Sequence, residues 1–451
     1  MVRAPGLWAY RNKMEFSFGT RIWRADKPYV DKGDGGGGDA ADHGNGGAPG
    51  PPVSGPPPPR KVYPPGGNDG FVLGLHAPGR YDKLVPVDRC LIQPDAANEV
   101  LAFLRTRCEE LLLEPFDVKT GTGYLRAVGL RTATDAAGVV QVSVNLITAD
   151  DEVPGRLVPL AAELGARFPA VTSVVHNIQA SSSDRGGGGR RGAPEVVLYG
   201  RRTIVQAVRG LTFEMSANSF FQTSAGSAAL LYDRIVEAAD LGPADTVVDL
   251  FTGTGTIGLA LAASAGRVVG VELVADAVAD ARRNAERNGV TNAAFYVGDL
   301  TALKGGMALA DVVDWEGAPP PLVTRRAAGG GGGSAGGGGG GGGDDDAPAA
   351  ADGGDAAAAK ADVQMDVVVV DPPRAGLHPK LVRWLARCGA RRVVYVSCNA
   401  ATQVRDVALL QSHEPRWQLT SLTPVDMFPH TPHVETVGVL ELVGESAAVE
   451  G

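Results

Sequence analysis

A cysteine and an aspartate follow two neighbouring apolar segments in the second half of the chain. Asp371 comes directly after Val367–Val370, and Cys398 comes directly after Arg392–Ser397. Because the carboxyl ends of parallel strands meet at one edge of a sheet, we expect both side chains at the same edge. A cysteine there is either a small buried hydrophobic residue or a nucleophile, and its place beside a ligand site favours the nucleophile.

A glycine-rich turn ahead of these residues has the spacing of a nucleotide-type ligand site. Residues 253–258 read G-x-G-x-x-G after the strand predicted at 246–250, and Glu272 lies 19 positions beyond Gly253. Glycines let the backbone approach a ligand, and a carboxylate at that strand end accepts two ribose hydroxyls. The pattern alone fits a dinucleotide, S-adenosylmethionine or a ligand-free turn. Asp249 favours S-adenosylmethionine, because a carboxylate repels pyrophosphate and attracts a cationic ligand.

Two further signals lie at the ends of predicted strands. Asp299 follows the strand predicted at 295–297, where it either contacts adenine or caps its own loop. Two prolines after Asp371 stiffen the turn that holds it. The next residue is Arg374, whereas methyltransferases that act on amino groups usually carry an aromatic side chain there, so adenine N6 chemistry is disfavoured.

A thiol and a carboxylate together could methylate C5 of uracil. That carbon is too weak a nucleophile unaided, but a thiolate that adds to C6 creates carbanion character at C5. A base must then remove the C5 proton, and Glu435 is the candidate within a proline- and histidine-rich segment. His430 and His433 of that segment have no third ligand nearby, so we expect no metal ion and predict that they orient the loop or contact RNA.

The elements that must position these residues alternate between buried strands and helices. Strands are predicted at 246–250, 267–272, 295–297, 367–370, 392–397 and 437–442, with helices at 224–239 and 275–288. Continuous apolar strands between helices indicate a parallel sheet covered on both faces, which makes residues 211–451 an α/β domain. Residues 1–210 combine short alternating strands with one helix at 96–113, which predicts an α+β domain.

Composition limits the remaining possibilities. Tracts rich in glycine, proline or aspartate at 31–69, 181–194 and 327–359 cannot bury apolar surface, so we expect disordered insertions. The net charge of −9 excludes nucleic-acid binding by a global basic excess. Local arginines are either an RNA contact or a solvated loop: Arg185, Arg190, Arg191, Arg201 and Arg202.

Cysteine usage and hydropathy bear on the compartment. The four cysteines include no CxxC pair, no segment reaches the roughly 18 apolar residues of a membrane span, and no apolar signal core is seen. We therefore expect no membrane association and a reducing intracellular compartment, either cytoplasmic or organellar (plastid or mitochondrion).

Taken in order, these motifs resemble the RNA uracil-C5 methyltransferases that act on tRNA or ribosomal RNA. The matching segments are Tyr10–Lys13, Phe220–Gln222, 249–255, Glu272, 371–374, 397–399 and 428–435. The resemblance implies a central α+β domain followed by a Rossmann-like class I methyltransferase domain. It implies S-adenosylmethionine as cofactor and RNA as partner, and no obligate protein partner is inferred. The implied ligand-lining residues are Gln222, Phe251, Gly253, Thr256, Glu272, Asp299 and Asp371, with Cys398 as nucleophile and Glu435 as base.

The chain departs from the family in its first part. Many members begin with a β-barrel RNA-binding module that is missing ahead of Tyr10. Iron–sulfur members carry a cysteine cluster before that residue and a last cysteine matching Cys90, and one thiolate cannot hold a four-iron cluster. Either the sequence lacks an N-terminal part or the cluster is absent, and we expect no cluster in this chain.

Two alternative functions use the same residues. A catalytically idle RNA-binding or RNA-folding factor would keep the scaffold without turnover. A nicotinamide-dependent oxidoreductase would depend on the glycine pattern alone.

Overall fold

A computed structural model of the chain describes residues 1–23, 70–149, 155–179, 195–303, 307–314 and 364–444, and the three predicted insertions lie outside these ranges. The chain divides into two compact units. The N-terminal unit comprises Trp8–Val205 and Met215–Asn218, and the C-terminal unit comprises Met1–Leu7, Gln206–Glu214 and Ser219–Gly451. The boundary expected between residues 210 and 211 stays a prediction.

The described part of the N-terminal unit is a mixed sheet with two helices. Its elements are β1 (Lys13–Gly19), β2 (Val72–His76), β3 (Leu84–Pro86), α1 (Asp95–Glu110), β4 (Leu125–Thr134), β5 (Val140–Thr148), α2 (Val158–Arg167), β6 (Val171–Ile178) and β7 (Val196–Gly200). The strand order is β3-β2-β1-β4-β5-β6-β7, and only β5 and β6 run parallel. This pair is parallel because α2 provides the crossover. Phe16, Val128 and Val144 share an apolar core with both helices.

The rest of the described chain alternates strands with helices after a short hairpin. The hairpin strands are β8 (Thr203–Val208) and β9 (Leu211–Ser216). The elements that follow are α3 (Ala225–Ala239), β10 (Thr246–Leu250), α4 (Thr256–Leu261), β11 (Arg267–Glu272), α5 (Ala275–Arg287), β12 (Ala293–Gly298), β13 (Val313–Asp314), β14 (Val367–Val370), α6 (Pro379–Leu385), β15 (Arg392–Ser397), α7 (Ala400–His413), β16 (Trp417–Val425) and β17 (Glu435–Leu442). Two short 3-10 helices lie between β12 and β13, at Leu300–Ala302 and Leu309–Asp311.

These strands form an eight-stranded sheet in the order β13-β12-β11-β10-β14-β15-β17-β16. The five adjacent strands β12, β11, β10, β14 and β15 are parallel. β17 is antiparallel to both β15 and β16. The four valines of β14 are fully buried because the strand is covered on both faces, as the continuous apolar run predicted. The order changes direction between β10 and β14, and open α/β sheets bind ligands at such a switch point. The predicted α/β class with a Rossmann-like C-terminal sheet is thus confirmed.

Local signals in the sequence set several element ends. Ser224 caps α3 by accepting a hydrogen bond from the Ser227 N–H, and Asn399 caps α7 by accepting one from Ala401. Gly289 follows α5 with φ +63°, the left-handed conformation expected at a helix end. No described helix combines the length and the apolarity that crossing a lipid bilayer requires.

Candidate active site

The predicted site residues gather at the carboxyl edge of the C-terminal sheet. β10, β14 and β15 run parallel and in register, with Leu250 beside Val370 and Val370 beside Tyr395. The loops that carry Phe251, Asp371 and Cys398 therefore leave the sheet at one edge.

The antiparallel strand β17 brings Glu435 to the same place. Ser397, the last residue of β15, pairs with Thr436, so the residue after β15 and the first residue of β17 lie side by side. The first is Cys398 and the second is Glu435. The nucleophile and the base of the sequence analysis are thus neighbours across a pair of strands.

The glycine-rich loop after β10 is built for close approach. Gly253 and Gly255 have φ of +55° and +83°, values that side chains with a Cβ rarely adopt. A Cβ on Gly255 would lie 3.0 Å from both Ala281 and Phe295, whereas one on Gly253 would meet no atom within 4 Å. Gly255 is therefore required by packing, while the space beside Gly253 is open for a ligand. Phe251 also has a positive φ, +65°, a strained conformation typical of functional sites.

Glu272 and Asp299 end the next two strands, with different surroundings. The Glu272 carboxylate accepts hydrogen bonds from the N–H groups of Gly253 (3.1 Å) and Val274 (3.0 Å), which fixes it beside the loop. Its remaining lone pairs suit ribose hydroxyls. Asp299 is exposed, and its carboxylate caps the following 3-10 helix through Thr301, which lowers the pKa of Asp299. The capping alternative is thus present, and the adenine contact stays a prediction.

A buried carboxylate lies beneath the loop. Asp249 is fully buried, and its Oδ2 accepts a hydrogen bond of 2.6 Å from the Thr252 hydroxyl. Among the described residues, its Oδ1 has no hydrogen-bond partner. Burial raises the pKa of Asp249 to about 7, although the bond from Thr252 lowers it. The buried Tyr232 of α3 also feels this carboxylate, since burial and then the charges of Asp371 and Asp249 raise the pKa of its phenol.

These features fit S-adenosylmethionine. An open cradle beside Gly253 admits the ligand, the fixed carboxylate of Glu272 can accept its ribose hydroxyls, and the unpartnered Oδ1 of Asp249 can attract its cationic end. Thr256 begins α4 directly after the loop, and Gln222 lies half-buried ahead of α3. The roles of these side chains in ligand binding stay predictions.

Titratable groups at the thiol influence one another. Glu435 is 5% exposed, and burial raises its pKa to about 7, opposed by the charge of Arg374. The pKa of Asp371 rises to about 8 through burial, then through the carboxylates of Glu435 and Asp249. Burial also raises the pKa of the half-buried Cys398, followed by the charges of Glu435 and Asp371, while Arg374 lowers it. Such coupling requires that these side chains lie close together.

The two histidines of the last loop are exposed, and the predicted basic tract is described only in part. The imidazole Nε2 of the exposed His430 lies 3.0 Å from the Leu7 carbonyl oxygen, and His433 is exposed. Within the described ranges, no group of three His, Cys, Asp or Glu side chains could hold a metal ion. The expected absence of a metal and of an iron–sulfur cluster stays a prediction. Of the arginine tract, Arg202 pairs with Glu195, and Arg185, Arg190 and Arg191 lie outside the described residues.

Three residues of the site were missed in the sequence. Thr252 lies directly before the glycine motif, so its hydroxyl could have been proposed as a partner for Asp249. Tyr232 and Asn284 lie within helices, where no local signal marks them. Asn284 is 1% exposed, and its Nδ2 donates to the Thr254 carbonyl of the loop while its Oδ1 accepts from the Glu214 N–H.

Known proteins share both the sequence and the fold. The family described as "Methyltransferase domain" matches residues 241–314, and "tRNA (Uracil-5-)-methyltransferase" matches residues 358–442. The chain is 32% identical over 437 residues to an uncharacterized RNA methyltransferase of Porphyromonas gingivalis, covering 96% of this chain and 74% of the relative. It is 33% identical over 371 residues to one of Chlorobaculum tepidum, covering 82% of this chain and 65% of the relative.

A solved structure has a similar fold. The crystal structure of the Pyrococcus abyssi tRNA (uracil-54, C5)-methyltransferase in complex with S-adenosyl-L-homocysteine matches with a TM-score of 0.62 and 23% identity, over 97% of this chain and 78% of that one. The Rossmann-like sheet, its glycine loop and the two family matches define an S-adenosylmethionine-dependent methyltransferase. Together with the sequence relatives, they show that the chain belongs to the RNA methyltransferases of the tRNA (uracil-5-)-methyltransferase family. The oxidoreductase and the idle RNA-folding factor gain no support from these comparisons.

Proposed function

We propose that this chain methylates C5 of a uridine in tRNA or ribosomal RNA through a covalent adduct with Cys398. The observation that carries the proposal is the pairing of β15 with β17, which places the thiol beside the Glu435 carboxylate at the edge that holds the glycine loop. A structural cysteine would need no such neighbours. The Pyrococcus relative, which is named for uracil C5, supports the same target.

The first step uses the thiol. Burial raises the pKa of the half-buried Cys398 thiol and the positive charge of Arg374 opposes that shift, and the thiol proton leaves to water as the thiolate forms. The sulfur adds to C6 of the uracil, a C–S bond forms, and the C5–C6 electron pair moves into an enolate. Bound S-adenosylmethionine would supply an electrophilic methyl group to C5, and its methyl–sulfur bond would break to leave S-adenosylhomocysteine.

The last step uses the carboxylate. Glu435 takes the proton that remains on C5, the electron pair restores the C5–C6 double bond, and the C6–S bond breaks to release the thiolate. A carboxylate with a pKa of about 7 is a stronger base than an exposed glutamate, and about half of it is ionised at neutral pH. Burial of Glu435 therefore suits it to this step.

The thiol is tested with RNA transcripts that contain 5-fluorouridine. The fluorine on C5 cannot leave as a proton, so the enzyme stays attached to the methylated RNA in a complex that survives denaturing electrophoresis. We expect the wild type to form this complex with tRNA or ribosomal RNA transcripts, and Cys398→Ala to form none. The matched control is Cys388→Ala, because Cys388 packs against the core of the same unit.

The same variants are tested on ordinary transcripts. Methyl incorporation should fall below detection in Cys398→Ala and stay within about twofold of the wild type in Cys388→Ala, because buried large-to-small changes act mainly through stability. Retained turnover in Cys398→Ala would exclude the covalent mechanism. Mapping 5-methyluridine in tRNA and ribosomal RNA from cells that lack the protein identifies the target. If every 5-methyluridine is still present in those cells, the proposed product is excluded.

A further inference from the structure

Helix α7 carries two buried polar side chains that the proposed chemistry does not use. Gln403 is 4% exposed and Asp406 is 2% exposed, although both belong to a helix whose opposite side is open to solvent. Burying an amide or a carboxylate costs free energy unless every polar atom finds a partner. Their partners therefore indicate what these residues hold in place.

The Gln403 amide joins the strands that carry the thiol and the carboxylate. Its Nε2 donates to the Tyr395 carbonyl oxygen of β15 at 2.9 Å. Its Oε1 accepts a hydrogen bond of 2.8 Å from the hydroxyl of Thr436, which directly follows Glu435. The Ser397 carbonyl oxygen lies 3.2 Å from the same hydroxyl. The hydroxyl has one hydrogen to donate, and the Gln403 Oε1 is the better acceptor because it is closer.

The neighbouring strand leaves room for this amide. A Cβ at Gly438 would lie 3.2 Å from the Gln403 Nε2, a tight contact that glycine avoids. The Gln403 side chain therefore lies against β17 and accepts its hydrogen bond from the hydroxyl of Thr436, the second residue of the strand. A residue at the end of a strand is held less firmly than one at its centre, because ladder hydrogen bonds continue from it in only one direction along the strand.

We infer that Gln403 is a positioning residue that fixes Glu435 against Cys398 through Thr436. The inference depends on the proposed function, since it assigns the residue to the step in which the carboxylate removes the C5 proton. Gln403 does not contact the substrate. It acts by limiting the movement of the first residues of β17, and a displacement of about 1 Å at a reacting group can cost a hundredfold in rate.

The inference predicts which step slows. Loss of the Gln403–Thr436 bond should leave thiol addition and methyl transfer near wild-type rates, because that bond holds the residue next to Glu435, whereas the contact of Gln403 with β15 is at Tyr395, three residues before Cys398. Proton removal should slow by about tenfold to a hundredfold. Methylated RNA would then accumulate as a covalent adduct on ordinary uridine transcripts, which a purely destabilising change would not produce.

The experiment compares three variants with a matched control. Gln403→Met removes the amide at similar volume, and Thr436→Val removes the hydroxyl at similar shape. Because both variants break the same Gln403–Thr436 bond, and Gln403→Met additionally breaks the bond to the Tyr395 carbonyl, the double variant should release RNA no more slowly than Gln403→Met. The control is Gln411→Met, since Gln411 lies on the same helix and donates from its amide to the Trp417 carbonyl at 3.1 Å.

Rapid quenching with radiolabelled methyl donor gives the adduct fraction and the release rate in a single turnover. We expect a raised adduct fraction in Gln403→Met and Thr436→Val, and none in Gln411→Met. The inference would be overturned if both test variants had the same adduct fraction as Gln411→Met. It would also be overturned if adduct formation slowed as much as overall methylation did. If Gln403→Met fails to fold, Thr436→Val decides alone. Failure of the wild type to form any 5-fluorouridine adduct would instead refute the proposed function.

Discussion

The buried carboxylate beneath the glycine loop should make the ligand-free protein less stable as the pH rises. Asp249 is fully buried with one oxygen unpartnered, and burial raises its pKa from 3.8 to about 7. The folded state therefore holds a proton that the unfolded chain releases at lower pH. An acid with a raised pKa contributes stability that is fully present below the unfolded pKa and lost as the pH climbs through the folded one. Asp249→Asn removes this titration and nearly preserves the shape.

The shift sets the size of the effect. Each pK unit corresponds to about 1.4 kcal/mol, and about two of the three units fall between pH 5 and pH 8. Relative to Asp249→Asn, the wild type should therefore lose about 3 kcal/mol of unfolding free energy over that interval. The amide itself has a cost from its own unpaired N–H, but that cost is the same at both pH values and cancels from the difference.

Urea unfolding of the ligand-free wild type and Asp249→Asn at both pH values measures this difference. Asp245→Asn is the control, because the Gly242 N–H and Arg391 lower the pKa of Asp245, so this carboxylate is ionised in the folded and the unfolded chain from pH 5 to pH 8 and its gap to the wild type should stay constant. We also expect Asp249→Asn to weaken S-adenosylmethionine binding in calorimetry. A gap between wild type and Asp249→Asn that stays constant from pH 5 to pH 8 would refute the assignment of a raised pKa to Asp249.

Three other predictions concern the base and the loops that hold the site. In a single turnover, adduct release should rise with pH until about 7 and then level, since Glu435 acts as a base only when ionised, and Glu435→Gln should trap the methylated adduct on a denaturing gel. Asn284→Leu should cost about 1–3 kcal/mol in urea unfolding and weaken the methyl donor's binding in calorimetry, because it leaves the Thr254 carbonyl and a backbone N–H unpaired. Gly376→Ala should lower the melting temperature more than Gly389→Ala: both have positive φ, but only at Gly376 would a Cβ lie 2.5 Å from a carboxylate oxygen.

Much of the C-terminal sheet could be predicted because its strands are short, apolar and bounded by turn residues. Four predicted strands agree at both ends with β10, β11, β14 and β15, namely those at 246–250, 267–272, 367–370 and 392–397. Strands that are covered on both faces need no alternation of apolar and polar residues. Their continuous apolar runs are easily recognised as strands where glycine or proline bounds them. The last strand begins at Glu435 rather than 437, because pairing with β15 and β16 extends regular backbone into the polar end of the segment.

Strand order was the part of the site that periodicity could not supply. Sequence motifs indicated that Cys398 and Glu435 matter, but an apolar run at 437–442 does not reveal which strand it pairs with, or in which direction. The antiparallel insertion of β17 between β15 and β16 decides both. Gln403 was missed for the same reason: an amide in a helix becomes meaningful only once a strand start is found opposite it.

Burial of the carboxylates has opposite effects on stability and on chemistry. Asp249 and Glu435 are buried at this sheet edge and Asp371 is half-buried, and burial is the first cause of the raised pKa of each carboxylate. Near neutral pH, the ligand-free fold therefore loses free energy at three places along one sheet edge. A cationic methyl donor bound beside Asp249 and Asp371 would favour the charged forms of both carboxylates. Ligand binding should therefore recover part of the lost unfolding free energy. A sheet selected for stability alone would carry amides or apolar residues there, so the three acids add support to this edge as the site of chemistry.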